Sequence, residues 1–297
     1  YQPVKKLNIQ PGLRYAYNSR FEAPLISSLA TRYQLGESWI LRASYGKGFR
    51  APTLKELYFL FVDVNHNILG NQDLKAERSD NYQLGVNYLK HYDNSSVDAN
   101  LSTFFNDITN EIRLVQQIAP NDSNQQGLYT NQNVAHTQTM GGNFTTKLIH
   151  KNLEADLGIS VIGVKNELAF STDAETSGYE GFNFYPQYRF NLSYNFKKIG
   201  VRPSFFLNHT GKRTDLQSGT DGKLEYNTFS AYTMADFSLQ KSLLKEKINL
   251  TVGLKNLFDF TTLQSRVAVS GGAHSDGGTQ LLSYGRTFFA RLQIHLP

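Results

Sequence analysis

An apolar period of two, repeated through nearly the whole chain, is the feature that most limits what this sequence can become. Twelve segments carry it: Leu7–Tyr17, Pro24–Gln34, Trp39–Gly48, Ser79–Lys90, Ser95–Val115, Leu128–Ile149, Leu153–Gly163, Pro186–Phe196, Ile199–Gly211, Thr228–Lys241, Ile248–Phe258 and Tyr284–Leu296. Side chains on a strand point to alternate faces. Tyr188, Phe190, Leu192, Tyr194 and Phe196 therefore share one face, and Arg189, Asn191, Ser193 and Asn195 the other. Ile248, Leu250, Val252 and Leu254 stand in the same way against Asn249, Thr251, Gly253 and Lys255.

The connections sort into two kinds. Short turns fall at Leu35–Ser38, His91–Asn94, His150–Asn152, Lys197–Lys198 and Leu244–Lys247. Long loops fall at Phe49–Arg78, Gln116–Gln126, Val164–Tyr185, Lys212–Asn227 and Asp259–Ser283. From the second turn onward the two kinds alternate; the first, Asn18–Ala23, is short but falls on the long-loop side. A closed antiparallel barrel in a membrane has this asymmetry, with long loops outside. A soluble sandwich also alternates along its strands, with the apolar face in a core. Two features favour lipid. The polar face carries charges and amides at almost every position, as a wet lumen would. Ser95–Val115 and Leu128–Ile149 also far exceed the usual soluble strand of about five or six residues. Spanning a bilayer takes about 9–11 tilted residues, so these two should project beyond it. The expected fold is all-β, an antiparallel transmembrane barrel portion of twelve strands, with both ends on one side.

Composition removes several other classes. No run reaches the roughly 18 apolar residues of a helical span. Negative mean hydropathy is compatible with a barrel, whose strands average out as hydrophilic. Zero cysteines exclude a disulfide scaffold, a thiolate metal site and a cysteine nucleophile. The net charge of +5 is spread along the chain without a basic block, so no nucleic-acid partner is expected. Tyr1 opens no signal peptide, as in a mature, truncated or trimmed chain.

The most distinctive stretch runs Tyr45-Gly-Lys-Gly-Phe-Arg-Ala-Pro-Thr-Leu-Lys-Glu-Leu-Tyr58 and leads to Gly70-Asn-Gln-Asp-Leu-Lys-Ala-Glu77. Gly46 and Gly48 loosen a strand end, and Pro52 removes a ladder donor. Thr53 with Glu56 three residues on has the spacing of a capping box for a one-turn helix. These residues resemble the signature of TonB-dependent outer-membrane receptors. The matching positions are Phe49, Arg50, Ala51, Pro52, Glu56 and Leu57, then Asn71, Asp73, Leu74 and Glu77. Val252-Gly-Leu-Lys-Asn-Leu-Phe-Asp259 resembles the family's penultimate-strand motif, and Gly285-Arg-Thr-Phe-Phe-Ala-Arg-Leu292 its closing strand.

The resemblance implies a barrel of about 22 strands with an N-terminal plug, importing a scarce nutrient with energy relayed by TonB. Residues 1–297 would be the C-terminal part of such a barrel, in the bacterial outer membrane and in contact with its lipid. No plug or TonB-binding box is evident, so the TonB complex would act through the N-terminal region absent here. The open edges of so large a sheet would be unstable alone. One departure is the terminus His295-Leu296-Pro297, where such barrels commonly end on an aromatic residue.

The family includes haem receptors with an Arg-Ala-Pro box, an Asn-Pro-Asp/Asn-Leu box and a histidine between them. Here His66 lies between Phe49-Arg-Ala-Pro52 and Asn71-Gln-Asp-Leu74, with Gln72 in place of the subgroup's proline. Imidazole is a strong iron ligand, and a flat macrocycle would stack on Tyr58, Phe59 and Phe61. His274 is a candidate second ligand; a loop histidine is more often simply a solvated side chain or a hydrogen-bonding turn residue. The expected cargo is an iron chelate, haem or a ferric siderophore, carried as cargo with no resident cofactor or metal. Cobalamin or glycan import, a passive channel and a soluble β-rich binding domain remain alternatives. His136 and His209 fall on lumen-facing or uncertain positions. Asp215, Asp221 and Glu225 lack calcium-loop spacing. Ser193, His209 and Asp236 lie on different strands and suggest no triad, so no enzyme is expected.

Overall fold

The computed structural model describes residues 1, 4–63, 67–118, 128–168, 181–218, 224–244, 247–264 and 279–295. Its strands are β1 Leu7–Arg14, β2 Ile26–Leu35, β3 Trp39–Arg50, β4 Leu60–Val62, β5 Asn67–Leu69, β6 Glu77–Tyr92, β7 Ser95–Ile118, β8 Leu128–His150 and β9 Leu153–Leu168. After these come β10 Asn183–Tyr194, β11 Val201–Thr210, β12 Arg213–Ser218, β13 Leu224–Phe229, β14 Tyr232–Leu243, β15 Ile248–Lys255, β16 Thr262–Gln264, β17 Thr279–Leu281 and β18 Thr287–Ile294. One short helix, α1, spans Leu54–Tyr58.

Twelve strands follow one antiparallel path, β1-β2-β3-β6-β7-β8-β9-β10-β11-β14-β15-β18, each paired with its neighbour in the chain order of the expected segments. All twelve expected strands are present. Leu7 pairs with Tyr33 and Ile294 with Ile248, so the start of β1 and the end of β18 both lie on the short-turn side. The two longest are β7 and β8, with bulges in their pairing between Ile108 and Ile112.

The apolar face forms continuous ladders. One row of registered partners runs Tyr45, Tyr82, Phe105, Met140, Gly163 and Phe184 across six strands. On β3 and β6 the pair Trp39–Tyr88 (ring centroids 4.6 Å apart) and the pair Tyr45–Tyr82 (5.0 Å) bracket Leu41, Ala43, Leu84 and Val86. Above Tyr45 and Tyr82 the same face turns polar, with Lys47 3.4 Å from Asp80 and His136 in contact with Asp107. Apolar side chains that face outward and are edged by aromatic rings then charges belong to a lipid-facing wall. On β10 the span from Phe184 to Tyr194 is about 33 Å along the strand. Tilted by about 40°, it projects to about 25 Å, the height of such an apolar band. The opposite face carries the ion pairs of Glu154 with Lys147 (2.5 Å) and Arg202 (2.7 Å).

Glycines lie under aromatic rings at registered pairs: Gly141 under Phe104, Gly163 under Phe184 and Gly253 under Phe289. A ring covering the missing side chain of its partner keeps the pleated surface filled.

Several expectations are corrected. The long loops carry strand pairs that were not expected. The Lys212–Asn227 loop folds into the β12–β13 hairpin, Asp259–Ser283 contains β16–β17, and Phe49–Arg78 contains the β4–β5 hairpin beside the expected one-turn helix α1. The strand expected from Thr228 begins at Tyr232, because Thr228 pairs with Thr214 in the hairpin. The strand expected from Tyr284 begins at Thr287. There Gly285 has φ 85° and the Arg286 amide donates to Asp259 Oδ1 at 2.7 Å. His136 and His209 take the outward parity. His209 stacks on Tyr188 at 5.7 Å and hydrogen-bonds Thr233 at 2.8 Å.

Candidate functional site

Arg50 ends β3, Glu77 begins β6, and the ladder sets them opposite each other on the polar face. Arg50 Nε donates to Glu77 Oε2 at 2.6 Å and Nη2 to Oε1 at 2.6 Å. The remaining arm of the fork, Nη1, reaches both oxygens of Glu56 at 3.0 and 2.9 Å. A planar guanidinium suits this geometry, since its donors match carboxylates two at a time. Glu77 Oε1 also accepts the Ile112 amide at 2.8 Å, so β7 joins the same node.

Glu56 does two jobs. Its carboxylate accepts from the Thr53 amide at 2.7 Å, while the Glu56 amide donates to Thr53 Oγ1 at 3.2 Å. This is the capping box read from the sequence. Burial works to raise the Glu56 carboxyl, but donors from Arg50 and Thr53 outweigh it and hold it below the usual range. The same balance of burial against Arg50 and the Ile112 amide lowers Glu77. Both lie beyond the aromatic pair Tyr45–Tyr82, outside the apolar band.

The second box closes back on the helix. The Gly70 amide donates to Phe59 O at 2.6 Å and the Asn71 amide to Glu56 O at 2.9 Å. A Cβ at Gly70 would sit 2.6 Å from Leu57 and Tyr58 backbone atoms, so only glycine fits this crossing. Asn71 Nδ2 donates to Asn131 O at 2.9 Å, and the Asp73 amide to Asn71 Oδ1 at 2.9 Å. Asn133 accepts from the Lys75 amide at 2.7 Å and donates to Asn110 O at 2.7 Å. Pro52, Leu57, Leu74 and Ala76 are buried beneath this mesh. The signature residues thus form a clasp that pins the β3–β6 loop to the rims of β7 and β8.

What the clasp holds out is aromatic. Phe59 and Phe61 lie with centroids 5.8 Å apart, and Lys55 Nζ stands 4.8 Å from the Phe59 ring. Tyr58 is engaged elsewhere: its hydroxyl accepts from Arg20, whose guanidinium lies 5.4 Å from the ring. Phe49 has the outward parity beside Arg78, and Ala51 is half-buried. His66 and His274 lie outside the described residues; in the chain, His66 falls between β4 and β5. Of the acidic loop trio, Asp221 and the Glu225 side chain also lie outside them. Among the described residues no group of three or more His, Asp or Glu is arranged to hold a metal. Ser193, His209 and Asp236 belong to separate networks, bonded to Arg202, Thr233 and the Asn256 amide. Asn256, with φ 52°, ties the Val252–Asp259 motif to Phe260 O and Ser283 Oγ, each at 2.9 Å.

Arg20, Ile112, Asn131 and Asn133 were not legible as parts of this site. Each is distant in sequence from both boxes, and no local pattern marks them.

The family model "TonB dependent receptor-like, beta-barrel" matches residues 1–257. The ferric enterobactin receptor of Pseudomonas aeruginosa is 24% identical over 307 residues, covering 96% of this chain and 40% of that protein. Hemoglobin-haptoglobin-binding protein A of Haemophilus influenzae is 40% identical over 63 residues, 19% of this chain and 6% of that protein. Among solved structures, a variant of the Pseudomonas aeruginosa ferric enterobactin receptor in complex with enterobactin aligns with TM-score 0.67 at 21% identity. It matches 97% of this chain and 43% of its own. The chain therefore spans about two fifths of the length of the relatives it matches end to end.

Proposed function

The chain belongs to the TonB-dependent receptor β-barrel family, and on that premise we propose that it is part of a receptor for energised uptake of an iron chelate. Its place is the bacterial outer membrane. Residues 1–297 form the C-terminal part of the barrel in this reading, and a plug and a TonB-binding segment belong to the rest of the protein. The cargo is a ferric siderophore or haem, the chain performs no catalysis, and it holds no resident cofactor.

One observation carries the reading: a rigid clasp holds an aromatic loop at the long-loop mouth of a lipid-facing wall. A passive channel has no need of such a fixed, presented loop. Near end-to-end similarity to a protein named for ferric enterobactin favours a siderophore. Short, higher similarity to proteins named for hemoglobin favours haem as the second reading. In that reading His66 and His274 ligate iron, while Phe59, Phe61 and Tyr58 meet the macrocycle. Phe59 and Phe61 are already paired, whereas Tyr58 would first have to leave Arg20.

Titration of the full-length receptor in detergent with ferric enterobactin and with haem separates the two. Saturable binding of the siderophore, unaffected by His66→Ala, supports the first reading. A Soret shift lost in His66→Ala supports the second. Binding of neither contradicts the proposal.

A further inference from the structure

On the lipid-facing side of β6–β10 the wall is indented by a groove of about 470 Å³. Thr103 and Gly142, registered partners of the outward parity, are its small residues; Tyr82, Leu84, Phe105, Met140, Val161 and Phe184 stand around them. The lining is apolar nearly throughout. Gly142 leaves real space, since a Cβ there would meet nothing closer than Ser102 O at 3.8 Å.

A second cavity, of about 460 Å³, lies at the rim. Arg20, Lys75 and Arg78 line it with the carboxylates Glu22 and Asp73. Arg78 shares the outward face of β6 with Tyr82 and Leu84. Arg78 stands four positions before Tyr82, about 13 Å along the strand. An apolar slot inside the band and, past the Lys47–Asp80 pair, a cleft with three cations and two carboxylates thus lie on one face of one strand. The slot adjoins the outer aromatic pair, so it opens to the outer leaflet.

We propose that the outward face of β6–β10 holds one phosphate-bearing lipid of the outer leaflet, its acyl chain in the Thr103–Gly142 groove and its phosphate at Arg78. The groove is continuous with the wall that lipid already covers, so a lipid chain is the occupant at hand. The spacing matches an amphiphile whose anionic group stands a short way above the start of its chain. Arg78 is the cation best placed to meet it: among the described residues its guanidinium makes one hydrogen bond, a long one of 3.5 Å to Glu22 O. Arg20 already donates to Tyr58 and to Gln72 O at 2.6 Å, so it supplies field more than free donors. A bound lipid phosphate would lie against the same arginine side chains that reach the clasped loop.

The test is native mass spectrometry of the full-length receptor, purified in mild detergent and offered phosphorylated lipid or its dephosphorylated counterpart with the same chains. Gly142→Leu fills the groove on a face that lipid contacts, and Arg78→Gln removes the cation. Val252→Leu, lipid-facing and remote from the groove, is the control. The wild type and the control should retain one phosphorylated lipid per chain. Each of the other two variants should lower that retention at least several-fold, with the dephosphorylated lipid retained weakly throughout. Equal retention by all four proteins, or equal retention of both lipids, would overturn the assignment.

Discussion

Arg50 and Glu77 are registered partners at the outer ends of β3 and β6, joined by two parallel hydrogen bonds of 2.6 Å. The chain leaves the sheet at one and returns at the other, so this pair closes the loop that carries the signature. Arg50→Ala should open the clasp without unfolding the wall. The Arg50 side chain is 41% exposed, so solvent screening trims the loss to about 1–2 kcal/mol. Hydrogen exchange of the α1 and β4–β5 amides should rise while that of the β9–β11 amides stays fixed. Arg50→Lys should not rescue, because an ammonium cannot bridge two carboxylates with a planar fork.

Gly70→Ala should be worse for the loop than either of those changes. Its Cβ meets backbone of Leu57 and Tyr58 at 2.6 Å, which no rotamer change relieves. Displacement of the crossing should cost about 2 kcal/mol or more. The expected outcome is lost cargo binding by a receptor that still migrates as a folded barrel on unheated gels.

Acid should loosen the clasp in a defined direction. Glu56 and Glu77 are both held below their ordinary value of 4.5 in the fold. The unfolded loop therefore takes up protons first as pH falls. The stabilisation is complete well above pH 4.5 and drains away as pH falls through the lower folded values. The chain holds no cysteine, so a spin label at Leu60→Cys reports on the hairpin. Its mobility should stay flat between about pH 6 and 8 and rise below about pH 4.

Three glycines on neighbouring strands should rank by what lies over them. A Cβ at Gly141 meets Val161 O at 2.4 Å, one at Gly163 meets the Phe184 ring first, at 2.4 Å, and one at Gly142 meets nothing within 3.8 Å. Gly141→Ala should therefore cost about 2 kcal/mol or more, Gly163→Ala under about 1, and Gly142→Ala about nothing. Urea titration of the receptor in detergent checks the order.

The wall was legible because its signal is carried by each strand alone. Alternation places Tyr188, Phe190 and Leu192 on lipid whatever their neighbours do, and turn length gives the order of pairing. The Thr53–Glu56 cap was legible for the same local reason. The hairpins within the long loops were not: β4, β5, β16 and β17 have three residues each, too few to show a period, and β12 (Arg213–Ser218) has Leu216 as its single apolar residue. In the site, the motif residues were visible as a pattern, but their work was not. Nothing local in Arg50 says that it reaches forward to Glu56 and across the sheet to Glu77. Asn131 and Asn133 join the clasp only because the β7–β8 pairing brings their strand there. The aromatic trio divides for a similar reason: Arg20, 38 residues away, draws Tyr58 from Phe59 and Phe61.

The most direct test of the central claim is uptake of radioactive iron by cells whose only iron-chelate receptor is the full-length protein, supplied with ferric enterobactin or haem. The account predicts accumulation of iron from one of them, abolished by deletion of TonB and reduced by Gly70→Ala. Accumulation that persists without TonB would indicate a passive pore, and no accumulation from either chelate would contradict iron uptake itself.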